Sequence, residues 1–186
     1  MEALEAIRTR RSVRAYLPRP VERAHLEQLI DAARLAPSAM NTQPWAFGVL
    51  QGIENVRQYG ARAKAHLLSH LHQFPALERY RERLTDPAFE IFYGAPALVL
   101  IYARQRGARA EADCNLAAQN LMLAAHALGL GTCWIGFAHT FFDLPETKAE
   151  LGAPGEAVLV APIVVGYPAG PTPAREKNPP VVYFWR

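Results

Sequence analysis

Arg10-Arg11-Ser12-Val13-Arg14 and, further along, Pro37-Ser38-Ala39-Met40-Asn41-Thr42-Gln43-Pro44-Trp45 are the stretches that decide how this chain must fold. In the first, guanidinium groups and a hydroxyl offer the paired donors that hold phosphate oxygens. In the second, Ser, Asn and Gln side chains lie between prolines on a tight loop, where amides that both donate and accept can read the edge of a polar ring. Taken singly, the first is an ordinary solvated basic loop and the second an ordinary turn, since Ser and Asn bond readily to nearby backbone. Taken together they read as two walls of one site, and the fold has to converge on it.

The sequence around them fits that demand. Residues 2–9 suit a short helix, and Pro18 and Pro20 make 10–20 irregular, so the basic cluster falls on a loop. Residues 21–35 repeat Leu26, Leu29, Ile30 and Ala33 at helical spacing, and Pro37 stops that helix just before the amide loop. Residues 45–50 read as a buried strand and 54–70 as a longer helix. The stretch 72–93 mixes aromatics, charges and prolines, as a mobile or partly helical cover over a pocket does. Next come a central strand at 95–103, a buried helix at 111–128 stopped by Gly129, a strand at 132–138, a short helix at 145–151 and a last core strand at 157–165. Residues 167–180 carry Pro168, Pro171, Pro173, Pro179 and Pro180 and read as an extended arm. Its apolar end, Val181-Val182-Tyr183-Phe184-Trp185, is expected to dock on its own domain or on a second subunit.

With 186 residues, 51% hydrophobic and 20% charged, the chain reads as one domain over 1–186, with 167–186 as its C-terminal arm. The charge of +3, from 20 Lys and Arg against 17 Asp and Glu, is too small an excess to call for a nucleic acid. Cys114 and Cys133 form no Cys-x-x-Cys pair and lack zinc-site histidine spacing, so neither a metal nor a disulfide framework is expected. The acidic start has no apolar core of signal-peptide length, which leaves a cytoplasmic location as the default. Residues 114–142 contain no Asp, Glu, Lys or Arg and could span a bilayer by length alone. Asn115, Gln119, Asn120 and His126 interrupt that run, and Gly129 and Gly131 divide it, so it reads as buried helix, turn and strand rather than a membrane span. Ser38 lacks a Gly-x-Ser-x-Gly elbow and no Gly-x-Gly-x-x-Gly fingerprint occurs, which argues against hydrolase chemistry and a dedicated dinucleotide domain.

When Gly129-Leu130-Gly131-Thr132-Cys133-Trp134-Ile135-Gly136 and the basic residues at 175–177 are added, the ordered set resembles the nitroreductase family of FMN enzymes over nearly the whole chain. The resemblance implies an α+β fold, with a central mixed, mainly antiparallel sheet flanked by helices and the C-terminal arm exchanged in a homodimer. It implies FMN at the subunit interface. Arg10, Arg11, Ser12 and Arg14 would contact it, Arg11 through its backbone, while Pro37, Ser38, Asn41 and Gln43 would reach it from the other subunit. Cys133, Trp134, Ile135 and Gly136 would lie beside the reactive face, with N–H groups near Ile135 and Gly136 directed at the redox-active nitrogen. Trp134 and Ile135 stand where some relatives carry an acid, so the main chain would act there. Arg175 and Lys177 match the basic pair on the phosphate, and Arg62 or Lys64 would fill a mid-chain contact.

The activity so implied is hydride transfer from NADH or NADPH through the flavin to a nitroaromatic, quinone or related small-molecule acceptor, in a ping-pong sequence that needs no side-chain acid or base. Specialised branches that dehalogenate, degrade flavin or oxidise azolines remain open alternatives, as does a flavin-binding module without turnover. Trp134, Phe137, Phe141 and Phe142 are expected to line the pocket or to pack in the core.

Overall fold

The computed structural model describes residues 1–186. In chain order its elements are α1 (Ala3–Thr9), α2 (Arg23–Arg34), β1 (Trp45–Gln51), α3 (Ile53–Ser69), α4 (Arg81–Thr85), β2 (Ala97–Ala103), α5 (Ala108–Ala127), β3 (Gly131–Trp134), α6 (His139–Phe142), α7 (Pro145–Leu151) and β4 (Val158–Gly166). β2 reads Ala-Leu-Val-Leu-Ile-Tyr-Ala without one charged residue because both of its faces are covered. Ala97, Val99, Ile101 and Ala103 point into one cluster with Leu26, Leu29 and Ala33 of α2 and Cys114, Ala117, Ala118 and Leu121 of α5. Leu98, Leu100 and Tyr102 point the other way, toward Val56, Ala63 and Leu67 of α3 and Phe141 and Phe142 of α6. The period of two thus sorts one strand into two cores.

The four strands are ordered β1-β2-β4-β3 and every neighbouring pair is antiparallel. The parallel part of the expected mixed sheet shrinks to one bridge, Ser12 beside Thr132. A register shift between Ile101 and Tyr102 marks the one irregularity of the central pair. α5 ends in a Schellman turn: the Leu130 N–H donates to Ala125 O at 2.8 Å and the Gly129 N–H to His126 O at 3.0 Å, with Gly129 at φ 76°. That turn delivers β3 directly.

Several boundaries differ from expectation. β3 stops at Trp134, and 136–138 form a 3-10 turn rather than more strand. Its partner there is Pro162, which accepts from the Ile135 N–H at 2.8 Å but has no N–H to return. α6 had no sequence signature of its own. The 72–93 stretch holds 3-10 turns, then α4, then an irregular turn segment at 86–93, with Leu84, Ile91 and Phe92 buried. The uncharged run supplies α5 and β3 as expected, and no helix is long and apolar enough to cross a membrane. The apolar end of the arm does not dock on its own chain: Tyr183 is 93% and Trp185 89% exposed.

Candidate functional site

Leaving α1, the chain runs beside β3, where Ser12 bridges Thr132 and the Val13 N–H donates to Thr132 O at 2.9 Å. Just beyond, residues 15–17 pair with the start of the arm: Leu17 N–H to Tyr167 O at 2.8 Å, and Ala169 N–H to Ala15 O at 3.0 Å. Tyr16 locks the corner, its hydroxyl donating to Val13 O at 2.8 Å, and burial pushes that phenol above its ordinary pKa. Gly131 permits the close approach, since a β-carbon there would stand 2.7 Å from Val13 Cγ2. Two segments more than 150 residues apart in sequence, at 10–14 and 175–177, are brought together by this pairing.

Between them lies a groove of about 970 Å³, whose walls include Arg8, Arg10, Arg11, Ser12, Arg14, Arg175 and Lys177 and no carboxylate. None of the six cations forms an ion pair with the protein. Arg11 is turned back on the chain, donating to Arg8 O at 2.7 Å and Arg10 O at 3.0 Å. Glu176 is absent from the walls. Like charges crowded without counter-charge repel one another, and a phosphate is the partner that guanidinium forks fit best. Arg8 was missed in the sequence because it reads as an ordinary basic residue in the last turn of a helix.

The second wall expected from sequence lies elsewhere on this chain: Pro37, Ser38, Asn41 and Gln43 are not part of the basic groove. They form a loop of their own with Met40, Asn41 and Gln43 at φ of 50°, 55° and 47°, each a left-handed conformation costing about 1–3 kcal/mol for a residue other than glycine. Ser38 Oγ accepts from the Gln43 N–H at 3.0 Å, and Gln43 Nε2 donates to Asn41 Oδ1 at 3.0 Å. Asn41 and Gln43 face solvent. Asp113 also reaches this loop and went unnoticed in the sequence. Its spacing of one residue from Cys114 and four from Ala117 puts a carboxylate on the buried face of α5, which was the available signal.

Around β3, Cys133 is buried and its thiol is pushed up by that burial, against the opposing charges of Arg14 and Arg10. Ile135 is buried and its N–H is committed to Pro162, so the expected pair of free donors is corrected to the exposed Gly136. Trp134 is 37% exposed, Phe137 packs edge-on against Tyr80 at 5.3 Å, and Phe141 and Phe142 belong to the core. Neither mid-chain candidate lines the groove. Arg62 grips Glu150 through two bonds of 2.7 and 2.6 Å, and Lys64 donates to Asp86 O and Phe89 O at 2.6 and 2.8 Å.

Comparison with known proteins identifies the family of the chain. The model of the Nitroreductase family matches residues 7–167. The chain is similar to a nitroreductase crystallised with bound FMN from Bacteroides fragilis, at a TM-score of 0.82 and 29% identity, covering 99% of this chain and 97% of that one. It is also 32% identical over 157 residues to a 4-nitrobenzoate reductase from Pseudomonas putida, covering 68% of this chain and 69% of that protein. An NADH dehydrogenase from Thermus thermophilus is 28% identical over 190 residues, covering 91% of this chain and 88% of its own.

Proposed function

The chain belongs to the nitroreductase family, and from that premise we propose that it is an FMN-dependent oxidoreductase, accepting hydride from NADH or NADPH and reducing a nitroaromatic, quinone or related acceptor. The observation that carries this reading is the carboxylate-free groove in which Arg10, Ser12, Arg14, Arg175 and Lys177 converge. Its donor set fits a phosphate monoester, and its volume suits a ligand the size of a mononucleotide. Bound FMN would supply the redox chemistry. The chain's own part is to bind and orient it. The guanidiniums and Lys177 neutralise the phosphate, and cations at the ring edge favour the negative charge that accompanies reduction. Asn41 and Gln43, with Ser38 and Pro37 supporting their loop, read the ring edge from a second subunit, because their own groove lies elsewhere.

A homodimer follows from the same picture. The arm leaves Val181, Tyr183, Phe184 and Trp185 exposed, while the outer edge of β3 is met by Ser12 and the outer edge of β1 has no strand beside it. An apolar extended segment and an open sheet edge complement each other across two copies. One pocket serving donor and acceptor in turn makes the kinetics ping-pong. The test is direct: the purified protein is yellow, releases FMN identified by mass, and oxidises NADH or NADPH with nitro compounds or quinones along parallel double-reciprocal lines. A colourless protein that takes up no added FMN would reject the proposal, and turnover restricted to halogenated phenols would move it to a dehalogenating branch.

A further inference from the structure

Ala39 opens the 3-10 turn Ala39–Asn41, and its N–H is one of the donors such a turn leaves without an internal partner. The side chain of the preceding residue is the usual acceptor. Here it is engaged elsewhere, since Ser38 Oγ accepts from the Gln43 N–H. The acceptor comes instead from a residue 74 positions away: the two carboxylate oxygens of Asp113, on α5, lie 3.3 and 3.2 Å from Ala39 N. Asp113 is 7% exposed and has no cationic partner. Burying a lone carboxylate is unfavourable, so its place on the core face of α5 calls for a reason beyond packing. At the far end of the loop, Arg104 Nη2 donates to Gln43 O at 3.0 Å. Between these two anchors lie the left-handed residues Met40, Asn41 and Gln43, and such conformations persist only where the surroundings over-determine them.

We propose that Asp113 is a positioning residue for cofactor recognition. It touches no cofactor, but by supplying the missing cap from α5 it holds the loop in the form that sets the Asn41 and Gln43 amides side by side. In that form Gln43 Nε2 satisfies Asn41 Oδ1, which leaves an amide donor on Asn41 and an acceptor on Gln43 for a ligand edge. The inference rests on the reading that this loop meets FMN. Without the cap the loop populates other conformations, and apparent affinity falls in proportion to the competent fraction. Enzyme already loaded with FMN keeps its chemistry.

The experiment titrates FMN into parent, D113A, D113N, R104A and R10A apoproteins by flavin fluorescence, alongside the apoprotein melting temperature and the rate of flavin reduction at saturating FMN. D113A is expected to weaken FMN binding about tenfold, with the saturated reduction rate unchanged. D113N, which keeps an oxygen toward the Ala39 N–H, recovers most of the affinity. R104A, an exposed position, weakens binding in the same direction and carries the test if D113A does not fold. Parent-like affinity in D113A, or in R104A where it substitutes, overturns the proposal. So does equal loss in D113A and D113N that tracks the apoprotein melting temperature. A parent that binds no FMN defeats the functional reading itself, whereas weakened R10A beside an unaffected D113A defeats the positioning role alone.

Discussion

At Gly131 an added β-carbon would meet Val13 Cγ2 at 2.7 Å, Val13 Cβ at 2.8 Å and Pro168 Cγ at 3.0 Å, atoms of both segments that build the basic groove. Neither neighbour can swing aside, because Val13 is held to Thr132 and Pro168 lies between residues paired to 15 and 17. Gly131→Ala is therefore expected to lose about 1–3 kcal/mol in urea unfolding and to weaken FMN binding at the same time. Parent stability would contradict the close approach. The groove cations at 10, 11, 14, 175 and 177 are legible in the sequence because they belong to the ordered motifs that resemble the family, whereas Arg8, of the same charge, stands outside those motifs. Asp113 and Arg104 are not, because their role lies in bonds to backbone atoms of a distant loop, which no local pattern encodes. The occupancy of the Ile135 N–H is hidden from the sequence for a related reason, since only the register with Pro162 shows it.

Elements are where periodicity speaks most clearly: β2, α2 and α5 follow from apolar patterning, and Pro37 and Gly129 end their helices as their backbone chemistry demands. The short α6 and the early end of β3 escape because they depend on which residues of β4 lie opposite. α7 hides a buried cation whose partners flank the helix on either side. Lys148 is 2% exposed, and its ammonium donates to Ala157 O at 2.7 Å, Gly155 O at 2.9 Å and Asp143 Oδ1 at 3.3 Å. Lys148→Ala strands those acceptors and is expected to cost about 3 kcal/mol in urea unfolding. An unchanged midpoint would show the network to be ornamental. Between α3 and α7, bonds from Arg62 and then Tyr59 hold the Glu150 carboxyl down at about 2. A depressed folded-state pKa stabilises above the unfolded value and is lost as pH falls through the folded one. Parent and Glu150→Gln should thus differ most in melting temperature near neutral pH and converge as pH drops toward 2. A gap that persists at pH 2 would assign the effect to something other than ionisation.

For the whole molecule, the two halves of the expected site do not share one groove on a single chain, and the arm ends in exposed aromatics. Both features resolve if two copies exchange arms. Sedimentation should then find a dimer, and replacing Phe184 and Trp185 by serine should shift it toward monomer with loss of bound flavin. A dimer indifferent to those changes would exclude arm exchange. The central claim is that the carboxylate-free groove recognises the phosphate of FMN, and the most direct measurement compares FMN with riboflavin, which shares the ring and lacks the phosphate. If two or more charge-assisted bonds are lost, riboflavin should bind at least about 100-fold more weakly, and salt should weaken FMN far more than riboflavin. Equal affinity for the two would contradict the account.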